Sequence, residues 1–265
     1  MKTILLLVHD DPGQEARLQV ALDLTRGLNG HLNCLDVSIL PNVAGDFYGA
    51  TAMILEDERE RESANRSRLE PRLAREDVPW NWRDITGELS ECLAREATLA
   101  DLIVVNRGLD TILSPDMRHV ADHLLHDTKT PVFAVPDTAT SLDVKGHGLV
   151  AWDGSDAAGA ALRAATPLLV LAEKITIVQV GKPCGDASAE DAAAYLSRHG
   201  GRATVDLIRE RNDDVGARLL AEVRNRRADY IVMGGYGHNR LREALLGGVT
   251  RTLLRETRVP LFLAH

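Results

Sequence analysis

The chain repeats itself. The segment Asp101-Leu-Ile-Val-Val returns 128 positions later as Asp229-Tyr-Ile-Val-Met, and Thr130-Pro-Val-Phe-Ala returns 129 positions later as Val259-Pro-Leu-Phe-Leu. Near the two starts, Val8-His9-Asp10 aligns with Ala151-Trp152-Asp153 at an offset of 143. The difference of about 15 residues falls between the second and third strands, where the first half has the longer helix. A repeat that covers nearly the whole chain means a duplicated unit. Each copy must then bury a core of its own from the same order of elements.

That order is strand and helix in alternation. In the first copy an apolar run at Thr3 to Val8 reads as a buried strand. Ala16, Val20, Ala21, Leu24 and Leu28 recur at helical spacing over about Gly13 to Leu28. Further strands are expected at 32–37, 81–85, 102–105 and 132–135, with helices near 52–75, 90–99 and 116–126. The second copy repeats the series, with strands at 148–152, 175–180, 203–208, 230–233 and 261–264 and helices at 156–171, 188–198, 214–226 and 240–255. Such alternation favours parallel sheets with right-handed crossovers and helices on both faces. The polar stretch 137–147 reads as a linker, giving domains at 1–136 and 148–265.

At 265 residues, with 45% hydrophobic and 26% charged, the chain is globular and long enough for two ordinary domains. Its net charge of -8 opposes nucleic-acid binding, which needs a basic stripe. The acidic balance leaves a single nucleotide open, because backbone amides can hold phosphates. No stretch approaches the ~18 apolar residues of a membrane span, and Ile4 to Val8 is too short for a signal-peptide core. Cys34, Cys92 and Cys184 are odd in number and far apart, which fits free thiols in a reducing compartment and a cytoplasmic location.

The most informative local pattern follows the strand at 230–233. Gly234, Gly235 and Gly237 break the apolar run, and Gly247 and Gly248 follow a helix-forming segment, giving Gly234-x-x-Gly237-x9-Gly247. Glycines at a strand-to-helix turn let backbone approach a ligand, and free amides at a helix start attract phosphate. Glycines also shape helix ends without any ligand. The run from Met233 to Thr250 resembles the signature of the universal stress protein family, whose ATP-binding members carry Gly-x-x-Gly-x9-Gly-Ser/Thr. The glycine spacing matches. Gly248 stands where the family has a hydroxyl residue, and Thr250 lies close by.

The resemblance is to a tandem, two-domain form. It implies two open five-stranded parallel sheets flanked by helices, of the adenine nucleotide alpha hydrolase-like kind, docked as an intramolecular pseudo-dimer through the last strands. It further implies an ATP site in the second half, with Mg. Asp153 and the backbone near Val180 would hold adenine and ribose, and Met233 would line the pocket. Gly234, Gly237, His238 and Asn239 would form one wall of the phosphate site, and Gly247, Gly248, Val249 and Thr250 the other. Other readings stay open. Asp153 can serve as a helix cap, His238 can simply begin a helix, and Thr250 can bond its own helix backbone.

The first half lacks the pattern. It has Asn106, Arg107, Gly108, Leu109 and Asp110 at the glycine loop and Arg118 and His119 in place of Gly247 and Gly248, so it is not expected to bind ATP in the family manner. His119, His123 and His126 share a helix face, but the outer two stand about 10 Å apart, too far for one tetrahedral ion, and a solvated face is the simpler reading. The charged run 56–75 reads as a solvated helix with opposite charges three and four residues apart. P-loop, Gly-x-Ser-x-Gly and His-Glu-x-x-His motifs are absent. The sequence therefore points to a regulatory, stress-response ATP-binding module with no dedicated catalytic constellation and at most slow hydrolysis. A nucleotide-free interaction scaffold and a slow ATPase or phosphotransfer enzyme are the alternatives, and a homodimer is compatible with either.

Overall fold

The computed structural model describes residues 1–39, 48–107, 117–209, 214–235 and 248–265. In order, these form β1 (Thr3–Val8), α1 (Gln14–Leu28), β2 (His31–Ile39), α2 (Tyr48–Leu73), β3 (Trp80–Gly87), α3 (Leu89–Glu96), β4 (Leu102–Asn106), α4 (Met117–Asp127) and β5 (Val132–Val135). The series then repeats as β6 (His147–Ala151), α5 (Asp156–Leu169), β7 (Lys174–Val180), α6 (Ala189–Arg198), β8 (Ala203–Ile208), α7 (Val215–Arg226), β9 (Tyr230–Gly234), α8 (Gly248–Glu256) and β10 (Leu261–Ala264).

Local chemistry sets several of the helix ends. Ser155 and Asp214 accept the backbone N–H three residues on, and Ser188 and Asp191 form a reciprocal capping box. Asn29 and Arg227 close α1 and α7 in the left-handed region, at φ 47° and 53°.

All ten strands lie in one sheet, ordered β3-β2-β1-β4-β5-β10-β9-β6-β7-β8. Each half thus has the same internal order. Every pairing is parallel except β5 with β10, where Leu261, Phe262 and Leu263 face Ala134, Phe133 and Val132 in antiparallel register. The expected docking through the last strands is therefore a fusion of two five-stranded sheets, edge to edge. Phe133 and Phe262 meet edge to face across the seam with ring centroids 6.3 Å apart, and both are fully buried. Successive strand residues point to opposite faces, so Ile4, Leu6 and Val8 enter one core and Leu5 and Leu7 the other. Both cores run across the seam, so the two halves share their hydrophobic stabilisation.

The strand register adjusts the sequence alignment of the two starts. Asp101 Oδ2 accepts the Thr3 N–H at 3.0 Å, and Asp229 Oδ2 accepts the His147 N–H at 2.6 Å. The same pair of acids caps the same strand, so Thr3 matches His147, one residue away from the alignment through Asp10 and Asp153. The stretch expected as a linker is likewise built into the structure. Its last residue, His147, begins β6, while Leu142 and Val144 are buried and the Leu142 N–H donates to Asp23 Oδ2 on α1 at 2.9 Å. Among the described residues no helix is long and apolar enough to cross a membrane.

Candidate functional site

In the second half, β6 sits between β9 and β7, so the strand order reverses beside β6. Ligand crevices form at such reversals, beyond the carboxyl ends of the strands. A cavity of about 330 Å³ opens there. Its floor is Ala151 at the end of β6, Asp153 just beyond it, Val178 and Val180 of β7, and Met233 and Gly234 of β9. Gly248, Val249 and Thr250 at the start of α8 line one side. Seven of the residues expected from sequence are thus brought together: Asp153, Val180, Met233, Gly234, Gly248, Val249 and Thr250. Gly237, His238, Asn239 and Gly247 lie outside the described residues, as does most of the expected helix before Gly248.

Asp153 is not the helix cap. Ser155 takes that role, and Asp153 Oδ1 accepts the Ser155 N–H at 3.0 Å in a turn just before it. Between them Gly154 adopts φ +77°, a conformation that strains any side chain. Gly234 answers a second demand, close approach. A Cβ there would stand 2.5 Å from the Ala158 nitrogen in the first turn of α5. Only glycine lets β9 end against that helix while leaving the crevice open.

Sequence reasoning missed the other wall. Lys182 and Cys184 line the cavity from the loop after β7, and Val215 and Leu219 line it from α7. The loop is tied back to the strand end, with the Cys184 N–H donating to the Asp153 carbonyl at 2.6 Å and Trp152 Nε1 to the Ala187 carbonyl at 3.1 Å. Lys182 follows the strand by two residues and carries no motif. Val180 with Gly181, at φ +76°, was the one available signal that the chain turns at this point.

The first half presents a different interior at the matching strand ends. Asp11 makes the turn that Asp153 makes, accepting the Gly13 N–H at 2.7 Å, so two extra residues after β1 bring Asp11 to the place of Asp153, where the strand register alone would put His9. Arg17 on α1 is fully buried and uses all five guanidinium N–H donors. They reach the carbonyls of Leu7 and His9, each at 3.1 Å, both oxygens of Asp11 at 3.0 and 2.6 Å, and Asn106 Oδ1. Asn106 stands where the second half has Gly234, and its amide also donates to Asp137 at 2.7 Å. Burial pushes the Asp137 carboxyl up, against the opposing pull of Asn106 and the Arg107 charge. Arg107 donates across the seam to the Leu254 carbonyl of α8 at 3.1 Å.

One other expectation needs adjustment. Helix α2 does carry surface ion pairs at helical spacing, such as Arg66 with Glu70 at 2.8 Å, but its Glu62 and Asn65 are buried on its inner face, so it is not solvated throughout. Asp36 of β2 lies in the same region, and burial, with the charges of Glu62 and Asp84, pushes its carboxyl up to about 8. The side chains of His123 and His126 are exposed, as a solvated face requires; that of His119 lies outside the described residues. Cys34 and Cys92 are buried free thiols and Cys184 is exposed.

An open parallel sheet with a ligand-sized crevice at the strand-order reversal defines the class of open α/β proteins that take small ligands at this place. The comparisons make it specific. The model of the universal stress protein family matches residues 147–265. By that model the second half, a little under half of the chain, is a universal stress protein domain. A universal stress protein from Archaeoglobus fulgidus DSM 4304 superposes over 99% of this chain and 97% of its own, with a TM-score of 0.74 at 19% identity. Proteins from Pseudomonas aeruginosa UCBPP-PA14 and PAO1 cover 100% of this chain and 93% and 92% of theirs, each at 15% identity, with TM-scores of 0.59 and 0.58. At these identities the likeness is one of fold, and it extends over both halves. No curated protein matches the chain.

Proposed function

We propose that the second half binds ATP, with Mg, and that the chain acts as a regulatory nucleotide-binding module of a cytoplasmic stress response, with domains 1–136 and 148–265 as its units. The observation that carries this reading is the convergence of Asp153, Val180, Met233, Gly234 and the α8 N-terminus on one cavity at the strand-order reversal. The Asp153 carboxylate keeps one oxygen beyond its turn bond for a ribose hydroxyl. The backbone of Val180 faces the base, and Gly248, Val249 and Thr250 of α8 face the phosphates. Gly237, His238, Asn239 and Gly247 complete the phosphate loop by the sequence pattern. Lys182 adds a cation at the rim. The described lining holds no paired general base and acid, so turnover of bound ATP is slow.

The test is to denature freshly purified protein, identify released nucleotide, and titrate Mg-ATP by calorimetry. About one adenine nucleotide per chain is expected, with binding weakened at least about tenfold by Asp153→Ala, the scale of one lost charge-assisted hydrogen bond. Gly237→Val combined with Gly247→Val should abolish it. Two nucleotides per chain would mean that the first half also binds. No release and no binding would leave the interaction-scaffold reading in its place.

A further inference from the structure

The first half contains a second cluster, which the nucleotide reading leaves unused. His9 follows β1, while Glu58 and Glu62 stand one turn apart on α2, so their carboxylates reach the same point. His9 Nδ1 lies 2.9 Å from Glu62 Oε1 and 3.8 Å from Glu58 Oε1. One donor atom from each residue falls within 4.8 Å of the others, and no other such group of three occurs among the described residues. His9 is 1% exposed and Glu62 2%.

An independent observation points to something missing at this place. In spite of the short distance, His9 Nδ1 has no hydrogen bond of acceptable geometry, and Asp36 Oδ1 has none either. Asp36 is 3% exposed, and it shares a cavity of about 390 Å³ with Glu62, Ser63 and Arg66. Buried polar atoms are nearly always satisfied, and a cation held between the imidazole nitrogen and the two carboxylates would satisfy this one.

We propose that His9, Glu58 and Glu62 bind one divalent transition-metal ion of the zinc class. One imidazole nitrogen and two carboxylate oxygens are a common donor set for such ions, with a fourth position left for water. Metal–ligand bonds of about 2.0–2.2 Å place tetrahedral ligands roughly 3.4 Å apart, and the two distances from Nδ1 bracket that separation. The carboxylates are already oriented by other groups, as metal ligands need to be. Glu62 accepts the Asp10 N–H at 3.1 Å and the Asn65 amide at 3.2 Å, and Asn65 is itself locked to Gln14 by two hydrogen bonds. Glu58 is held through its other oxygen by Arg61. The site is separate from the nucleotide cavity: it lies between the end of β1 and α2 in the first half, whereas every lining residue of that cavity belongs to the second half.

The experiment uses the full chain, stripped with a chelator and free of nucleotide. Zn²⁺ and Co²⁺ are titrated by calorimetry, with the visible absorption of Co²⁺ reporting coordination and thermal melting reporting stabilisation. One ion per chain is expected, with a higher Tm on binding. Glu62→Gln and Glu58→Gln should each lose the ion, while His123→Gln with His126→Gln should keep it. Glu58 is the less buried carboxylate, so Glu58→Gln answers the question even where Glu62→Gln fails to fold. The proposal is overturned if the wild-type chain binds no ion, or if Glu58→Gln, shown folded by circular dichroism, binds as the wild type does. Either result would make the cluster a buried ion pair between His9 and Glu62.

Discussion

The two halves end their first and fourth strands in the same place and fill that place in opposite ways. In the second half the positions read Asp153 and Gly234, and a cavity opens between them. In the first they read Asp11 and Asn106, and the guanidinium of Arg17 lies between them with every donor used. One copy keeps an acid facing open space, where a ligand can meet it. The other has turned its acid inward onto a fixed cation and made the same turn a stabilising element. Two halves of the same strand order can thus keep a crevice open in one and close the same place in the other, by exchanging small residues for a self-satisfied polar cluster.

The sharpest way to break that comparison is Arg17→Met. It leaves Asp11 buried without its charge partner and should cost about 3–5 kcal/mol in chemical denaturation. Nucleotide binding by the protein that remains folded should be unchanged. Equal loss of both would show the cluster to support the second half's site as well. Next in size is Gly234→Asn, which writes the first half's residue into the second. Its Cβ would sit 2.5 Å from the Ala158 nitrogen, so α5 must move, with a cost of about 1–3 kcal/mol and loss of Mg-ATP binding by calorimetry. Binding that survived this change would mean that the crevice floor is not where the nucleotide lies.

The smallest effect concerns His147, which matches Thr3 in the first half and so makes the acid response of the two starts unequal. Burial holds the His147 imidazole below its usual 6.5, against the bond of its ring to the Arg226 carbonyl. The folded state therefore favours neutral His147. Its contribution is present above about pH 6.5 and is lost as pH falls through the folded value, because only the unfolded chain takes up the proton readily. The slope is at most about 1.4 kcal/mol per pH unit. Denaturation curves between pH 5 and pH 8 should flatten in His147→Gln, whose amide can still meet Thr176 Oγ1, now 2.9 Å from the ring. Curves of equal slope would show that His147 does not set the acid response.

Much of the fold was legible in the chain because period and repeat are local properties. The alternation of short apolar runs with helical spacing gave the described strands and α-helices, since each must bury one face whatever its neighbours do. The glycine pattern likewise announced the second-half crevice, because Gly234 meets a backbone requirement that sequence shows directly. What escaped reading were side chains whose role depends on a distant partner. Arg17 looks like any helical arginine until Asn106, far along the chain, closes over it. Glu58 and Glu62 look like members of a solvated charge run until α2 is laid over β2 and His9. The buried Asp36 is one of several strand acids by sequence.

The sequence by itself determined an α/β chain of two like halves with a glycine-rich motif in the second, because strand period, helix period and backbone freedom are written in neighbouring residues. Only the tertiary structure decided that the two sheets fuse into one through β5 and β10, that the supposed linker packs on α1, and that the first half turns its polar residues inward. Those outcomes depend on which side chains meet across long separations, and burial sets their energies: a charge that is harmless in water must find a partner once it is enclosed.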